Sequence, residues 1–168
     1  RRFSKLSLLE DGSYESENLD SDTIILPWGG SKGPGREAYD RLIKEGYSVG
    51  WAYTMFLHPL PPDLLSELKD KNLVLVPELN YLGQFSSYLR GLGVNAHSIT
   101  QYTGLPFKVV DLVNMIKEKL ESYVKTLNEI PDMQDKYLWL MDFGKRSPIV
   151  PERFKLDEFE VPGCQSQT

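Results

Sequence analysis

Cysteine is nearly absent from this chain: of 168 residues, only Cys164 carries a thiol. An internal disulfide is therefore impossible, and so is a cysteine-ligated metal cluster built from this chain alone. That scarcity fits a reducing, cytoplasmic setting. Histidine is almost as rare, at His58 and His97. Neither has an Asp, Glu or Cys at the spacing of a metal set or a nucleophilic triad, so zinc and triad chemistry are not expected. Cys164 likewise has no neighbouring histidine to activate it. Positive charge is short too: the net charge is −5 with a pI of about 5.1, and no basic run is longer than Arg1-Arg2, which argues against a nucleic-acid partner. No apolar stretch approaches the ~20 residues that cross a bilayer. No secretory leader is recognisable, so neither a membrane nor export is expected. Position 1 is not methionine, and the chain is expected to be a piece of something longer.

What is present is an ordinary globular composition, 40% hydrophobic and 26% charged, in a length that allows one domain plus extensions. Residues 1–22 turn acidic and polar and are expected to be a linker or the end of a preceding element. From residue 23 to 128, short apolar runs alternate with helical periods. Residues 23–26, 49–56, 73–76 and 98–102 predict four strands. Ala38, Tyr39, Leu42 and Ile43 predict a helix that begins after a break at Gly33-Pro34-Gly35 and stops at Gly46. Leu64, Leu65 and Leu68 predict a second helix, entered at Pro62-Asp63 after the stiff connector HPLPP. Phe85, Tyr88, Leu89 and Leu92 mark a third. The longest, over 106–127, carries Val109, Val113, Ile116, Leu120 and Val124 on one side and ends before Pro131. Strands alternating with helices at this spacing predict βαβ units, a largely parallel sheet and helices on both faces. Residues 129–168 hold Trp139, Leu140, Met141 and Phe143 between prolines and predict an irregular, aromatic tail that buries itself against something.

In an open α/β sheet the crevice beyond the carboxyl ends of the strands collects function, which singles out two strand–loop–helix junctions. The first runs TIILPWGGSKGPGREA. Its Gly29, Gly30, Lys32 and Gly33 sit where phosphate-binding loops sit, ahead of a helix N-terminus. The spacing is neither that of a Walker A loop nor that of a dinucleotide fingerprint, and Pro34 removes one N–H. The competing reading is that these glycines serve a tight turn and close helix–sheet packing. The second junction runs NLVLVPELNYLGQ. Glu78, Asn80, Gly83 and Gln84 there could meet a ligand or a neighbouring loop. Alternatively, Asn80 caps the next helix and Glu78 complements its dipole. Both readings stand at this point. Lys32, Arg36 and Arg90 also read as solvated charges, and Trp28, Trp51 and Trp139 as core or interface anchors.

The segments WGGSKGPGREAYDRLIKEGYSVG, LHPLPPDLLSELK, LVLVPELNYLGQFSSYLR and ITQYTGLPF, in that order, resemble the C-terminal part of the α subunit of 2-oxoacid:ferredoxin oxidoreductases. The closest likeness is to the type acting on 2-oxoglutarate or broad 2-oxoacids. The resemblance runs over residues 22–120. It implies a transketolase C-terminal-like domain: a three-layer α/β/α sandwich around a mostly parallel sheet, usually with one antiparallel edge strand. It also implies membership of an enzyme that decarboxylates a 2-oxoacid on thiamine diphosphate, reduces ferredoxin through iron–sulfur clusters and delivers the acyl group to coenzyme A. In that family the diphosphate, its magnesium ion and the four-iron four-sulfur cluster are held by the β subunit and by another domain of the α subunit. No cofactor and no catalytic residue is therefore expected within this chain. The implied partners are the rest of the α subunit, the β subunit, ferredoxin and coenzyme A. The expected role is to hold subunits and neighbouring domains in register, with Glu78, Asn80 and Gln84 as contacts at the rim of the sheet, towards either coenzyme A or an inter-subunit interface. Two rivals come from other classes: a stand-alone binding module that takes a phosphate at residues 29–35, and a pure interaction domain.

Overall fold

The computed structural model describes residues 14–128. The element order is β1 (Tyr14–Glu17), β2 (Thr23–Ile25), a 3-10 turn (Gly29–Ser31), α1 (Lys32–Lys44), β3 (Gly50–Thr54), α2 (Pro62–Lys69), β4 (Leu73–Glu78), α3 (Gln84–Gly91), β5 (Ala96–Thr100) and α4 (Val109–Asn128). The strands form one sheet in the order β1-β3-β2-β4-β5. Four of them run parallel, and β1 pairs antiparallel to β3, Tyr14 opposite Thr54 and Glu17 opposite Trp51.

Both faces of the sheet are covered, as expected where central strands are apolar throughout. The side chains of β2 and β4 alternate between two cores. Ile25, Leu73 and Leu75 pack with Tyr39 and Leu42 of α1 and with Leu112 and Ile116 of α4. Ile24, Leu26, Val74 and Val76 pack with Leu64 and Leu68 of α2 and with Phe85 and Leu89 of α3. The result is a three-layer sandwich of α1 and α4, the sheet, and α2 and α3. No helix of the described residues is long and apolar enough to cross a membrane.

Three expectations are corrected in detail. Residues 14–17 are a sheet strand, not linker. Their exposed, acidic YESE gives no apolar signal because only Tyr14 is even half-buried. What holds the strand is main-chain pairing with β3 and charge from α1: Lys32 Nζ lies 2.6 Å from Glu15, and Arg36 2.7 Å from Glu17. Second, Gly33-Pro34-Gly35 does not interrupt the chain but forms the first turn of α1. A first turn has no intrahelical acceptor for its N–H groups, so the group that proline lacks is not missed. Third, the last strand begins at Ala96, two residues before the residue expected from the sequence, and ends at Thr100. The tail expected over 129–168 lies outside the described residues.

Candidate functional site

The two junctions singled out in the sequence follow β2 and β4, which are neighbours in the sheet. Their loops therefore meet at the carboxyl edge. The link is Ser31, buried at 1% exposure, whose Oγ lies 2.9 Å from the Pro77 carbonyl and 2.7 Å from that of Trp28. The one hydroxyl proton is shared between these two acceptors, while Oγ accepts the Trp28 N–H at 3.0 Å.

The second junction is organised around a carboxylate. Glu78 is the last residue of β4 and is fully buried. One of its oxygens accepts the backbone N–H of Phe85 (2.9 Å) and the Asn80 Nδ2 amide (3.0 Å), and the other accepts the N–H of Ser86 (3.0 Å). Asn80 Oδ1 in turn accepts the Gln84 N–H at 3.3 Å. The first three N–H groups of α3 are thus all satisfied from within the loop, with a negative charge at the positive end of the helix dipole. Gly83 makes the geometry possible. Its φ of +60° is left-handed, and a Cβ there would come within 2.9 Å of Ser98. Gln84 points its side chain to solvent.

The first junction is built differently. Gly29 takes the positive φ (+52°) that turns the chain into the 3-10 turn. Gly35 lies against Pro27, where a Cβ would come within 2.7 Å of the ring, so α1 sits on the end of β2 at a distance only glycine permits. Gly33 has open space around it and Gly30 only ordinary contact. Lys32 leans away from the loop, its ammonium paired with Glu15 and lying 4.1 Å from the centre of the Tyr53 ring. Beyond it, Arg36 rests over the rings of Tyr39 and Trp51, paired with Glu17 and Asp40. The hydrogen bond to Glu17 is the main cause that raises the guanidinium pKa further above its ordinary value. The sequence suggested solvated charges at Lys32 and Arg36; the structure makes them clamps on β1. Arg90 donates to the Ala96 carbonyl at 2.8 Å and fastens α3 to β5.

The two histidines stand apart. His58 Nδ1 lies 2.8 Å from the Tyr88 hydroxyl. His97, on β5, has its pKa lowered by burial first and by the nearby charges of Lys119 and Arg90 second. Among the described residues no group of three or more His, Cys, Asp or Glu could hold a metal ion. At the two junctions, one helix start is occupied by a carboxylate, and the lysine at the other is paired with Glu15. Sequence spacing alone gave no sign of the Ser31–Pro77 bridge, because it joins residues 46 positions apart.

The polar groups of these two junctions are engaged largely within the domain, and comparisons with known proteins show what the chain resembles. The chain is 32% identical to the 2-oxoglutarate oxidoreductase subunit KorA of Mycobacterium tuberculosis over 111 residues, 66% of this chain and 17% of that protein. It is 38% identical to the 2-oxoglutarate synthase subunit KorA of Methanocaldococcus jannaschii over 71 residues, 42% of this chain and 19% of that protein. A solved 2-oxoglutarate:ferredoxin oxidoreductase from Magnetococcus marinus, with 2-oxoglutarate, coenzyme A and succinyl-CoA bound, superposes with a TM-score of 0.63 at 35% identity. That match covers 70% of this chain and 22% of the solved one. The chain is homologous to the C-terminal part of the α subunit of 2-oxoacid:ferredoxin oxidoreductases. It spans about a fifth or less of the curated relatives it matches. A separate match, to the family described as SufE: Fe-S metabolism associated domain, covers residues 121–168. That stretch includes Cys164 and the whole of the tail expected over 129–168; beyond residue 128 it lies outside the described residues.

Proposed function

We propose that this chain supplies an α/β domain of a 2-oxoacid:ferredoxin oxidoreductase α subunit and that the domain is a non-catalytic organiser of the complex. The whole enzyme would oxidatively decarboxylate a 2-oxoacid to its acyl-CoA and pass the electrons to ferredoxin in the cytoplasm. Thiamine diphosphate with magnesium would supply the carbanion chemistry, and a four-iron four-sulfur cluster the electron path. Both would be held by the β subunit and by other parts of the α subunit. The partners are then the rest of the α subunit and the β subunit, with ferredoxin and coenzyme A serving the assembled enzyme.

The observation that carries the non-catalytic reading is Glu78. It has the position of a catalytic carboxylate, at a strand end beside a helix start, yet its acceptor capacity is used on Phe85, Ser86 and Asn80 in a fully buried setting. A general base must reach a substrate proton, and a group enclosed in this way has no path to one. The phosphate-binding rival is weakened at its own residues, since Lys32 is paired with Glu15 and Pro34 offers no donor.

The test is anaerobic recovery of the native complex through a tag on this chain, followed by assay of 2-oxoacid- and coenzyme A-dependent reduction of ferredoxin or viologen. The expected result is activity that travels with a thiamine-binding partner and is absent from this chain alone. Folded chain recovered with no partner and no reduction would overturn the proposal.

A further inference from the structure

The two edges of the sheet differ in charge more than the composition of the chain would suggest. Four loops stand at the carboxyl edge: residues 26–31, 55–61, 79–83 and 101–108. Lys108, the last residue before α4, is the only Asp, Glu, Lys or Arg among them, in a protein 26% charged. The absence of charge continues into α3 as far as Leu89. The loops of the opposite edge carry Asp20, Asp22, Glu45, Asp70 and Lys71. The charge-poor edge also holds large apolar groups in the open. Met55 is 76% exposed, Tyr81 71%, Leu82 70%, Tyr102 66% and Leu105 65%, with Leu79 beside them. Tyr81 and Tyr102, from two different loops, pack edge to face at 5.1 Å.

Depletion of charge together with exposed aromatic and aliphatic groups is the composition of the buried centre of a protein–protein interface. It is the wrong composition for the anionic ligands common in α/β folds. Phosphate groups need a cation or free helix N–H groups. The rim loops offer a single lysine, Lys108 beside the start of α4; Lys32, next to the first loop, is paired with Glu15, and α3's start is filled by Glu78 and Asn80.

We propose that the carboxyl rim of this sheet is a protein–protein docking face, covered by the portion of the α subunit that lies outside this chain. The occupant follows from length: about four-fifths of each matched relative's own chain falls outside the match. The occupant's matching surface is mostly apolar, because the rim offers a buried charge few partners. The proposal rests on the α-subunit reading above, and it specifies which surface does the organising.

The experiment uses the full 168-residue chain, wild type and with Leu82→Lys, Tyr102→Lys or Asp20→Lys, titrated calorimetrically with the remaining polypeptide of its α subunit. Thermal unfolding verifies that each variant is folded; all three sites are exposed, so none should disturb the core. Each rim lysine is expected to weaken binding roughly thirtyfold or more, the scale of losing a packed anchor and burying a charge. Asp20→Lys on the opposite edge should change it by no more than about twofold. Rim variants that bind as well as wild type would overturn the docking face and leave the α-subunit reading standing. Failure of the wild type to bind would overturn that reading, and the proposal with it. A dimer of this chain dispersed by Leu82→Lys would replace the occupant with a second copy. Saturable binding of coenzyme A, abolished by the same variant, would make the rim a ligand site instead; either result overturns the proposal.

Discussion

The junction between β2 and α1 is closed by packing, and the junction between β4 and α3 is closed by charge. At the first, Gly35 lets the helix lie directly on Pro27, and the Ser31 hydroxyl ties the turn to Pro77. At the second, the Glu78 carboxylate occupies the helix start, with Asn80 completing it. Both are strand–loop–helix units with glycine in the loop, the sequence grammar of ligand-binding crevices. Here each junction is closed by groups of the protein's own, and the two seals should fail on different scales.

The largest loss belongs to the charged seal. Glu78→Ala leaves two buried backbone N–H groups and the Asn80 amide without acceptors, and should destabilise the domain by about 3 kcal/mol or more. Urea unfolding measures it. Gly83→Ala should cost ~2 kcal/mol from left-handed backbone strain, with a further penalty from the contact with Ser98. Adding Ser98→Gly to it would recover the contact part and not the strain, so the pair of variants separates the two causes. At the packed seal, Gly35→Ala drives a methyl into Pro27 and should cost on the order of 1–3 kcal/mol, because helix and strand must part. If Gly35→Ala proved worse than Glu78→Ala, the comparison would be reversed.

Smaller effects lie outside the seals. Breaking Lys32–Glu15 by Glu15→Ala should cost less than about 1 kcal/mol and vanish in high salt, because both side chains are well exposed. His97 gives the pH dependence. Its pKa is lowered in the folded state, so below the ordinary value of 6.5 the unfolded chain takes up its proton first. Its contribution to stability is intact above pH 6.5 and is lost as pH falls below it. The difference between wild type and His97→Gln in chemical denaturation from pH 7.5 to 5 isolates this share from that of the carboxylates.

How much of this could be read from residues follows from where each signal lives. The buried strands were legible because LVLV and TIIL have apolar groups on both faces, and α4 was legible from its long period. Strand β1 was not, since an exposed edge strand owes its place to its neighbour's main chain and to Lys32 and Arg36, not to its own side chains. The start of α1 was hidden by Pro34, whose ring breaks a helix interior but not a first turn. The capping of α3 was visible as one of two readings of Glu78 and Asn80. Choosing between them needed the burial of Glu78, which no local pattern encodes. The bridge from Ser31 to Pro77 depends on β2 and β4 being adjacent, a property of strand order alone.

The most direct test of the central claim, that the rim's polar residues hold the domain together rather than bind a ligand, is the urea-unfolding free energy of wild type and Glu78→Gln, each with and without coenzyme A. The account predicts a loss of roughly 2–3 kcal/mol in the variant, whose amide presents an N–H where a backbone N–H needs an acceptor. It also predicts no change with coenzyme A in either protein. Equal stability of the two proteins, with coenzyme A stabilising only the wild type, would contradict it.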